Sequence, residues 1–343
     1  MSKIEEELRA AFERHEAMTP ATGPVRQRID FAWVRARRRR MWRRAAGAAA
    51  VVALAGVTVP IVVSESARHA VPAVILPATT GAAALDGPVD VLLIGSDHRA
   101  GRSAQTQLAD TVMLLHLTAD RKQAYLVSLP RGGMLLDDGR PSMKLYETLL
   151  RGGPRLTRDA VADLTGVDVD ATVVVEMAAL RKVAEAVGAV TMCVKQGIPA
   201  HSGRKAIPAG CQDIGADEVG PLLQGRYRLT NGSYDRDFNN RAYLRLLAGK
   251  VMADGLELTE LRALLSRAGS GLRVDGDTLA LLGVAASLEK PELIGIGAKS
   301  AAGGLEGAKT EAIYPEVGPS LFAALRDDRM AEWVAAHPDH VDR

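Results

Sequence analysis

The chain has 343 residues, enough for one large domain with appendages. Hydrophobic residues make up 47% of it, which excludes a chain too polar to bury a core, while an aromatic content of 4% means that the core is built mostly from Ala, Val and Leu. The net charge of +2 argues neither for nor against nucleic acid as a partner.

Residues 1–17 have helical spacing, with Ile4, Leu8 and Phe12 on one stripe and Ser2 and Glu5 in a capping-box pattern. Residues 18–28 hold two prolines and read as a loop. A short helical stretch then enters residues 35–44 (RARRRRMWRR), with seven arginines and no acid. Residues 45–63 carry no charge over 19 positions, about the length that crosses a hydrocarbon core at ~1.5 Å per residue. The arginine flank orients such a span with residues 1–44 in the cytoplasm and everything after residue 64 outside, a single-pass type II arrangement over residues 45–64. A cleaved signal peptide would need an n-region of more than 40 residues, and a buried soluble helix would not explain the arginines. Residues 65–87, rich in Ala, Pro, Thr and Gly, read as a linker, residues 88–327 as the main extracytoplasmic domain and residues 328–343 as a frayed tail.

The domain opens with three apolar runs, residues 89–95 (VDVLLIG), 111–117 (TVMLLHL) and 124–129 (AYLVSL), which read as strands. A short charged link, residues 118–123, suits a hairpin turn. A meander of these strands would gather Asp97, Asp110 and Arg131 at one rim of the sheet, where two carboxylates and a guanidinium can hold a divalent cation and a phosphate. Solvated turn residues are the alternative. Residues 142–151 and 157–164 read as helices separated by Gly152, Gly153 and Pro154. Residues 171–177 read as a strand, 178–187 as a helix ended by Gly188, and 190–194 as another strand. Helices follow at 216–224 and 236–254, around a basic loop at 225–233 (GRYRLTNGS), and then at 259–268 and 277–288. A strand at 292–297 and a helix at 317–327 complete an α/β or α+β pattern with a mixed sheet flanked by helices, and no internal repeat. The two cysteines, Cys193 and Cys211, both fall on the proposed outer side, where a disulfide persists; it would contribute roughly 3 kcal/mol, two free thiols being the alternative. His98, His116 and His201 are scattered and receive no catalytic role.

Lys144, Arg226, Arg228 and Arg236 join Arg131 as cations near strand ends and helix starts. A carboxylate-bound Mg²⁺ (or Mn²⁺) with several arginines suits a pyrophosphate, and a scatter of surface cations is the competing account. No Walker loop, G-x-S-x-G or S-x-x-K motif is present.

The ordered segments VDVLLIGSDHR, ADTVMLLHLTADRK, LVSLPR, K-L-Y-x-x-L-L-R-G-G-P, L-T-G-V-D-V-D, EAVGAVTMCV with IPAGCQ, and GRYRLTNGSYDR with NNRAYLRLL together resemble the LytR–CpsA–Psr family, over about residues 89–251, with a tail similar to actinobacterial members. The resemblance implies a central mixed sheet flanked by helices, an apolar groove for a lipid tail, and transfer of glycopolymers from polyprenyl-pyrophosphate carriers to peptidoglycan outside the membrane. It makes Asp97 and Asp110 the Mg²⁺-associated aspartates, Arg131 the strand-end arginine, Lys144 the lysine before the next helix, and Arg226 with Arg228 the pyrophosphate pair. The sequence departs from the family at Leu108 (Arg), Gly132 (Asp), Tyr146 (Asn), Asn240 (Arg) and Leu244 (Gln). Arg236 and Arg241 lie close to Asn240 in sequence as stand-ins, and Arg99 or Arg102 near Leu108. Two functions follow: a membrane-anchored phosphotransferase, or a catalytically impaired polyprenyl-lipid-binding or scaffolding protein of the cell envelope. A DNA-binding regulator is a third reading, based on the arginine block, but no helix-turn-helix pattern accompanies it and no nucleic acid partner is expected.

Overall fold

A computed structural model of the chain describes residues 87–96, 107–137, 140–201, 203–253, 258–286, 288, 291–297, 302–305, 308–311, 313–314 and 316–342. The chain divides into two units, residues 1–77 and 78–343, and every described residue belongs to the second. The N-terminal helix, the apolar span at 45–64 and the linker lie outside the described residues, as do Asp97, Arg99 and Arg102.

The three apolar runs form β1 (Val89–Ser96), β2 (Ala109–Leu117) and β3 (Gln123–Leu129). They are paired antiparallel in sequence order, as a meander. A short ribbon follows, β4 (Met134–Asp137) and β5 (Arg140–Lys144). Then comes α1 (Thr148–Thr165), which is two helices merged across a kink at Gly153, whose φ of 67° is open to glycine at little cost. Next are β6 (Ala171–Glu176), α2 (Met177–Val187), and a ribbon of β7 (Val190–Val194) with β8 (Gly210–Ile214). The chain continues through α3 (Ala216–Gln224), α4 (Ser233–Ala253), α5 (Leu258–Ala268), β9 (Leu272–Asp275), α6 (Thr278–Ala286) and β10 (Glu292–Ile296). It ends with the ribbon β11 (Ala302–Leu305) and β12 (Ala308–Glu311), then α7 (Gly318–Arg326) and α8 (Met330–Ala336).

The central sheet has six strands in the order β10-β3-β2-β1-β6-β9. Its pairing is mixed: β6 lies parallel to β1 and β10 parallel to β3, while the rest are antiparallel. Alternate residues on the middle strands face opposite sides. Leu92, Ile94, Val112, Leu114, Tyr125 and Val127 point to one face and pack on Leu149, Val161, Leu321, Leu325 and Trp333 of α1, α7 and α8. Each such fully buried side chain contributes about 1.5–3 kcal/mol. A second cluster joins the β7–β8 ribbon to α2, α3 and α4. A disulfide links Cys193 and Cys211, which are cross-strand partners in that ribbon.

Two expectations are corrected. Residues 142–144 are strand rather than helix, because Met143 and Lys144 pair with Leu135 and Met134. The residues after Asp327 are not frayed: Met330 and Trp333 are buried, and Trp333 Nε1 donates to Ser320 Oγ at 3.0 Å. The last residues form a strap along β10, with Asp342 N donating to Gly295 O and Gly297 N to His340 O. Arg241 of α4 clamps the strap through Nε and Nη2, at 2.6 and 2.8 Å from the Asp342 carboxylate. The pair lies directly over Gly295 and Gly297, where a Cβ would run into the carboxylate or the guanidinium.

Candidate functional site

The meander register brings the end of β1, the start of β2 and the end of β3 to one rim, with Ser96 opposite Ala109 and Val112 opposite Leu129. Asp110 and Arg131 meet there, Arg131 Nη1 donating to Asp110 Oδ1. The Arg131 guanidinium also lies 5.2 Å from the centroid of the Tyr146 ring. The backbone holds this arrangement, since Tyr146 N donates to Arg131 O at 2.9 Å. Burial pushes Arg131 below the usual guanidinium range; Asp110 opposes that shift, and the nearby Arg236 and Arg226 guanidiniums reinforce it.

The rim opens into a basic cavity of about 710 Å³. Five cationic side chains line it, Arg204, Lys205, Arg226, Arg228 and Arg236, with Asp110 the single carboxylate among the described lining residues. The loop before α4 supplies two of them. Gln196 pins that loop, its Nε2 donating to Arg228 O and its Oε1 accepting from Thr230 N. Arg228 sits at φ 61°, a conformation uncommon for a residue with a Cβ. Arg236, in the first turn of α4, is 2% exposed, and its Nε and Nη2 both donate to Asp237 Oδ1, at 3.1 and 2.7 Å. The disulfide-closed ribbon supplies Arg204 and Lys205, and its His201 stacks on Tyr227 with centroids 4.5 Å apart.

An apolar cavity of about 100 Å³ adjoins the basic one between the sheet and α2, α3 and α4. Leu93, Met113, Val175, Leu180, Leu223 and Leu244 form its walls. Asp110 and Gln224 line both cavities, so the polar and apolar spaces share a wall. Asn240 also faces the apolar cavity. With its amide oriented to satisfy every partner, Oδ1 accepts from Thr111 Oγ1 at 2.7 Å and Nδ2 donates to Leu223 O and Arg236 O.

Of the residues singled out from sequence, Asp110, Arg226, Arg228 and Arg236 line one cavity, and Arg131 is bonded to Asp110. Lys144 ends β5 and lines neither cavity. Arg241 is not a stand-in, since it is committed to Asp342 on the strap. Asn240 and Leu244 both face the apolar cavity. Arg204 and Lys205 were missed; the signal was a basic run, HSGRK, between the two cysteines. For a divalent cation, Mg²⁺ takes one or two carboxylates plus substrate phosphates. Asp110 fits that role, and no group of three His, Cys, Asp or Glu side chains able to hold a metal occurs among the described residues.

The LytR_cpsA_psr family model matches residues 64–303. The cell wall biosynthesis protein LcpA of Corynebacterium glutamicum is 27% identical over 214 residues, covering 50% of this chain and 41% of that protein. The probable cell wall biosynthesis protein LcpB of the same organism is 29% identical over 184 residues, covering 50% and 44%. The matches thus take in less than half the length of these curated relatives. Among solved structures, protein gbs0355 of Streptococcus agalactiae superposes with a TM-score of 0.61 at 18% identity, over 71% of this chain and 88% of that one. Bacillus subtilis TagV gives 0.56 at 15% identity, over 71% and 98%. TagT bound to LI-WTA gives 0.55 at 19% identity, over 71% and 91%. These likenesses establish the mixed α/β fold.

Proposed function

The chain belongs to the LytR–CpsA–Psr family, and on that premise we propose that it is a phosphotransferase of cell wall assembly, moving a glycopolymer from a polyprenyl-pyrophosphate carrier to peptidoglycan. The observation that carries the reading is the wall shared at Asp110 and Gln224 by a cationic and an apolar cavity. An amphiphile with an anionic head and a hydrocarbon tail needs both spaces side by side. The apolar cavity takes the carbons next to the pyrophosphate. Arg226, Arg228 and Arg236 hold the pyrophosphate, and Arg131 is kept at the junction by Asp110 and Tyr146. Lys144 belongs to the same reading through its match to the family lysine. An acceptor hydroxyl oxygen bonds to the sugar-linked phosphorus. The bond from that phosphorus to the bridging oxygen breaks, polyprenyl phosphate leaves with the electron pair, and the hydroxyl proton passes to solvent. Prealigned guanidiniums stabilise the charge developing on the phosphoryl oxygens. A Mg²⁺ or Mn²⁺ ion, when bound by Asp110 and Asp97, would neutralise pyrophosphate charge. The span at 45–64 would anchor the chain, with the domain on the outer side of the membrane.

The test is release of polyprenyl phosphate from a lipid-pyrophosphate saccharide by the full-length chain in detergent with Mg²⁺. Each lost charge-assisted phosphate contact is worth ~1.5–3 kcal/mol. Arg226→Ala and Arg228→Ala are therefore each expected to slow release about 10- to 100-fold. Undiminished turnover in both variants overturns the assignment. The second reading is a lipid-binding protein with impaired chemistry. It is favoured by Asn240 and Leu244, which place an amide and an aliphatic chain at the apolar wall, and by the commitment of Arg241 to the strap. It requires lipid to bind tightly with no turnover at any metal concentration.

A further inference from the structure

One stripe of α4 takes no part in the proposed function. Arg236 turns to the basic cavity, whereas Phe238, Ala242, Arg245 and Gly249 fall on the opposite side of the helix, at about 100° per residue. That stripe lines a groove of about 490 Å³, closed on its flanks by Met192 of β7 and Leu293 of β10. The volume lies within the usual range of ligand sites, roughly 300–1,000 Å³. Leu246, which also lines the groove, is 40% exposed.

The groove runs beside an open sheet edge. β10 is the last strand of the central sheet, and its pairing to β3 uses alternate residues. Glu292 N donates to Lys122 O, so Leu293 directs its N–H and C=O away from β3. Two and four residues on, Gly295 O and Gly297 N face the same way and are taken by Asp342 N and His340 O of the strap. The strap, antiparallel at Ile296 and Val341, demonstrates that this edge accepts an added strand. Beside Leu293 no such strand stands among the described residues. Pro291 has no N–H and ends the open stretch, so any strand added there is short and the groove must supply most of the binding. The charges in the groove have one sign. Lys195 and Arg245 line it, with no carboxylate among its described lining residues. Lys195 Nζ lies 4.2 Å from the Phe238 ring centroid, and Arg245 Nη1 reaches the main-chain O of Asp342 at 3.4 Å, so neither cation is met by a carboxylate. A hydrocarbon tail would cover the apolar walls and leave the backbone edge and both cations unmet. An acidic peptide meets all three.

We propose that this groove docks an extended acidic peptide of a partner protein. The peptide pairs its backbone with Leu293, sets apolar side chains against Ala242, Leu246 and Met252, and turns a carboxylate to Lys195 and Arg245. The groove lies on the opposite side of α4 from Arg236, so the proposal stands apart from the transferase reading.

The probe is the end-blocked peptide acetyl-Leu-Glu-Leu-Leu-Glu-Leu-amide, in which either face of an extended strand carries two apolar side chains and one carboxylate. It is titrated into the full-length chain in detergent and followed by calorimetry. Binding below millimolar peptide is expected. The counterpart with lysine in place of glutamate is expected to bind at least about tenfold more weakly, and so is a counterpart N-methylated along its backbone, which cannot donate to the sheet edge. Leu246→Glu and Lys195→Glu are each expected to weaken binding about tenfold, with thermal unfolding unchanged because Leu246 is partly exposed and Lys195 has no carboxylate partner to lose. No binding at millimolar peptide overturns the proposal, as does equal affinity for the lysine peptide. Equal affinity for the N-methylated peptide makes the groove a site for apolar material such as a lipid tail, and overturns it too. So does a dimer in sedimentation that Leu246→Glu dissociates, which makes the face one between copies of this chain. Affinity unchanged in both variants moves the peptide to another site and likewise overturns it.

Discussion

β1 and β2 carry carboxylate–cation clusters at both ends, and the two ends differ in how their charges are closed. At the rim, Asp110 holds Arg131, and five further cations crowd the adjoining cavity with no second carboxylate among its described lining residues. At the other end, His116 lies fully buried between two carboxylates, Nδ1 to Asp90 at 2.9 Å and Nε2 to Asp328 at 3.0 Å. Asp90 N in turn donates to Asp170 Oδ2. Both ring nitrogens face carboxylates, an arrangement that favours the imidazolium. That end is closed on itself, each group bonded to another within the cluster, and it ties the turn after α7 to the sheet. The rim carries an excess of cations and is open. A cluster whose groups bond to one another belongs to the fold, whereas an excess of one sign in an open cavity calls for a ligand of the other.

The contrast can be broken most directly at the sealed end. Removing one partner from a buried ion pair costs about 3–5 kcal/mol, since it strands the other charge. His116→Ala, which strands Asp90, should therefore lower unfolding free energy by that amount in a urea titration. A loss under ~1 kcal/mol, the level of an exposed pair, would place both ends in the same class.

The pH dependence is smaller and has a definite sign. Burial alone would lower His116, but the hydrogen bonds and charges of Asp90 and Asp328 outweigh it and hold the imidazole above its ordinary value of 6.5. A raised imidazole stabilises fully below that ordinary value, and the stabilisation is lost as pH rises through the raised one. Asp90 acts in the same direction: burial pushes its carboxyl up, against His116, so ionising it in the fold costs stability as pH rises. The unfolding free energy relative to a His116→Gln variant should therefore fall as pH rises above 6.5, by about 1.4 kcal/mol for each unit by which the imidazole is raised. A difference between the two proteins that stays flat with pH would mean that folding does not raise the imidazole.

The two ends were also unequally legible in the sequence. The rim could be read because uninterrupted apolar runs fix the strands, and strand order then fixes which ends meet. The same register sets Asp90 opposite His116, yet the histidine looked scattered, because its second partner, Asp328, is 212 residues away. The strap was hidden for the same reason: Arg241 and Asp342 are 101 residues apart, and neither lies in a pattern that announces the other. The ribbon of β4 and β5 was misread because PSMKLYETLLR has helical spacing, whereas backbone pairing to residues 134–137 claims its first residues. Local periodicity cannot carry that information.

The smallest test concerns how the open rim keeps Arg131 in place. The family asparagine is Tyr146 here, and the ring does work that an amide cannot, lying 5.2 Å from the Arg131 guanidinium. A partly desolvated cation–π contact is worth roughly 0.5–2 kcal/mol. Asp110 still bonds Arg131 when the ring is gone, so the guanidinium loosens without leaving. Tyr146→Asn should then cost about 1 kcal/mol of stability and slow lipid-pyrophosphate cleavage a few-fold, because a cation that samples other positions is less well placed for the leaving phosphate. Tyr146→Phe keeps the face and should match the unaltered chain in both measurements. If Phe behaves like Asn, the hydroxyl rather than the ring positions Arg131. The rim would then be held by hydrogen bonds alone, as the sealed end is, and the distinction between the two ends would rest only on their net charge.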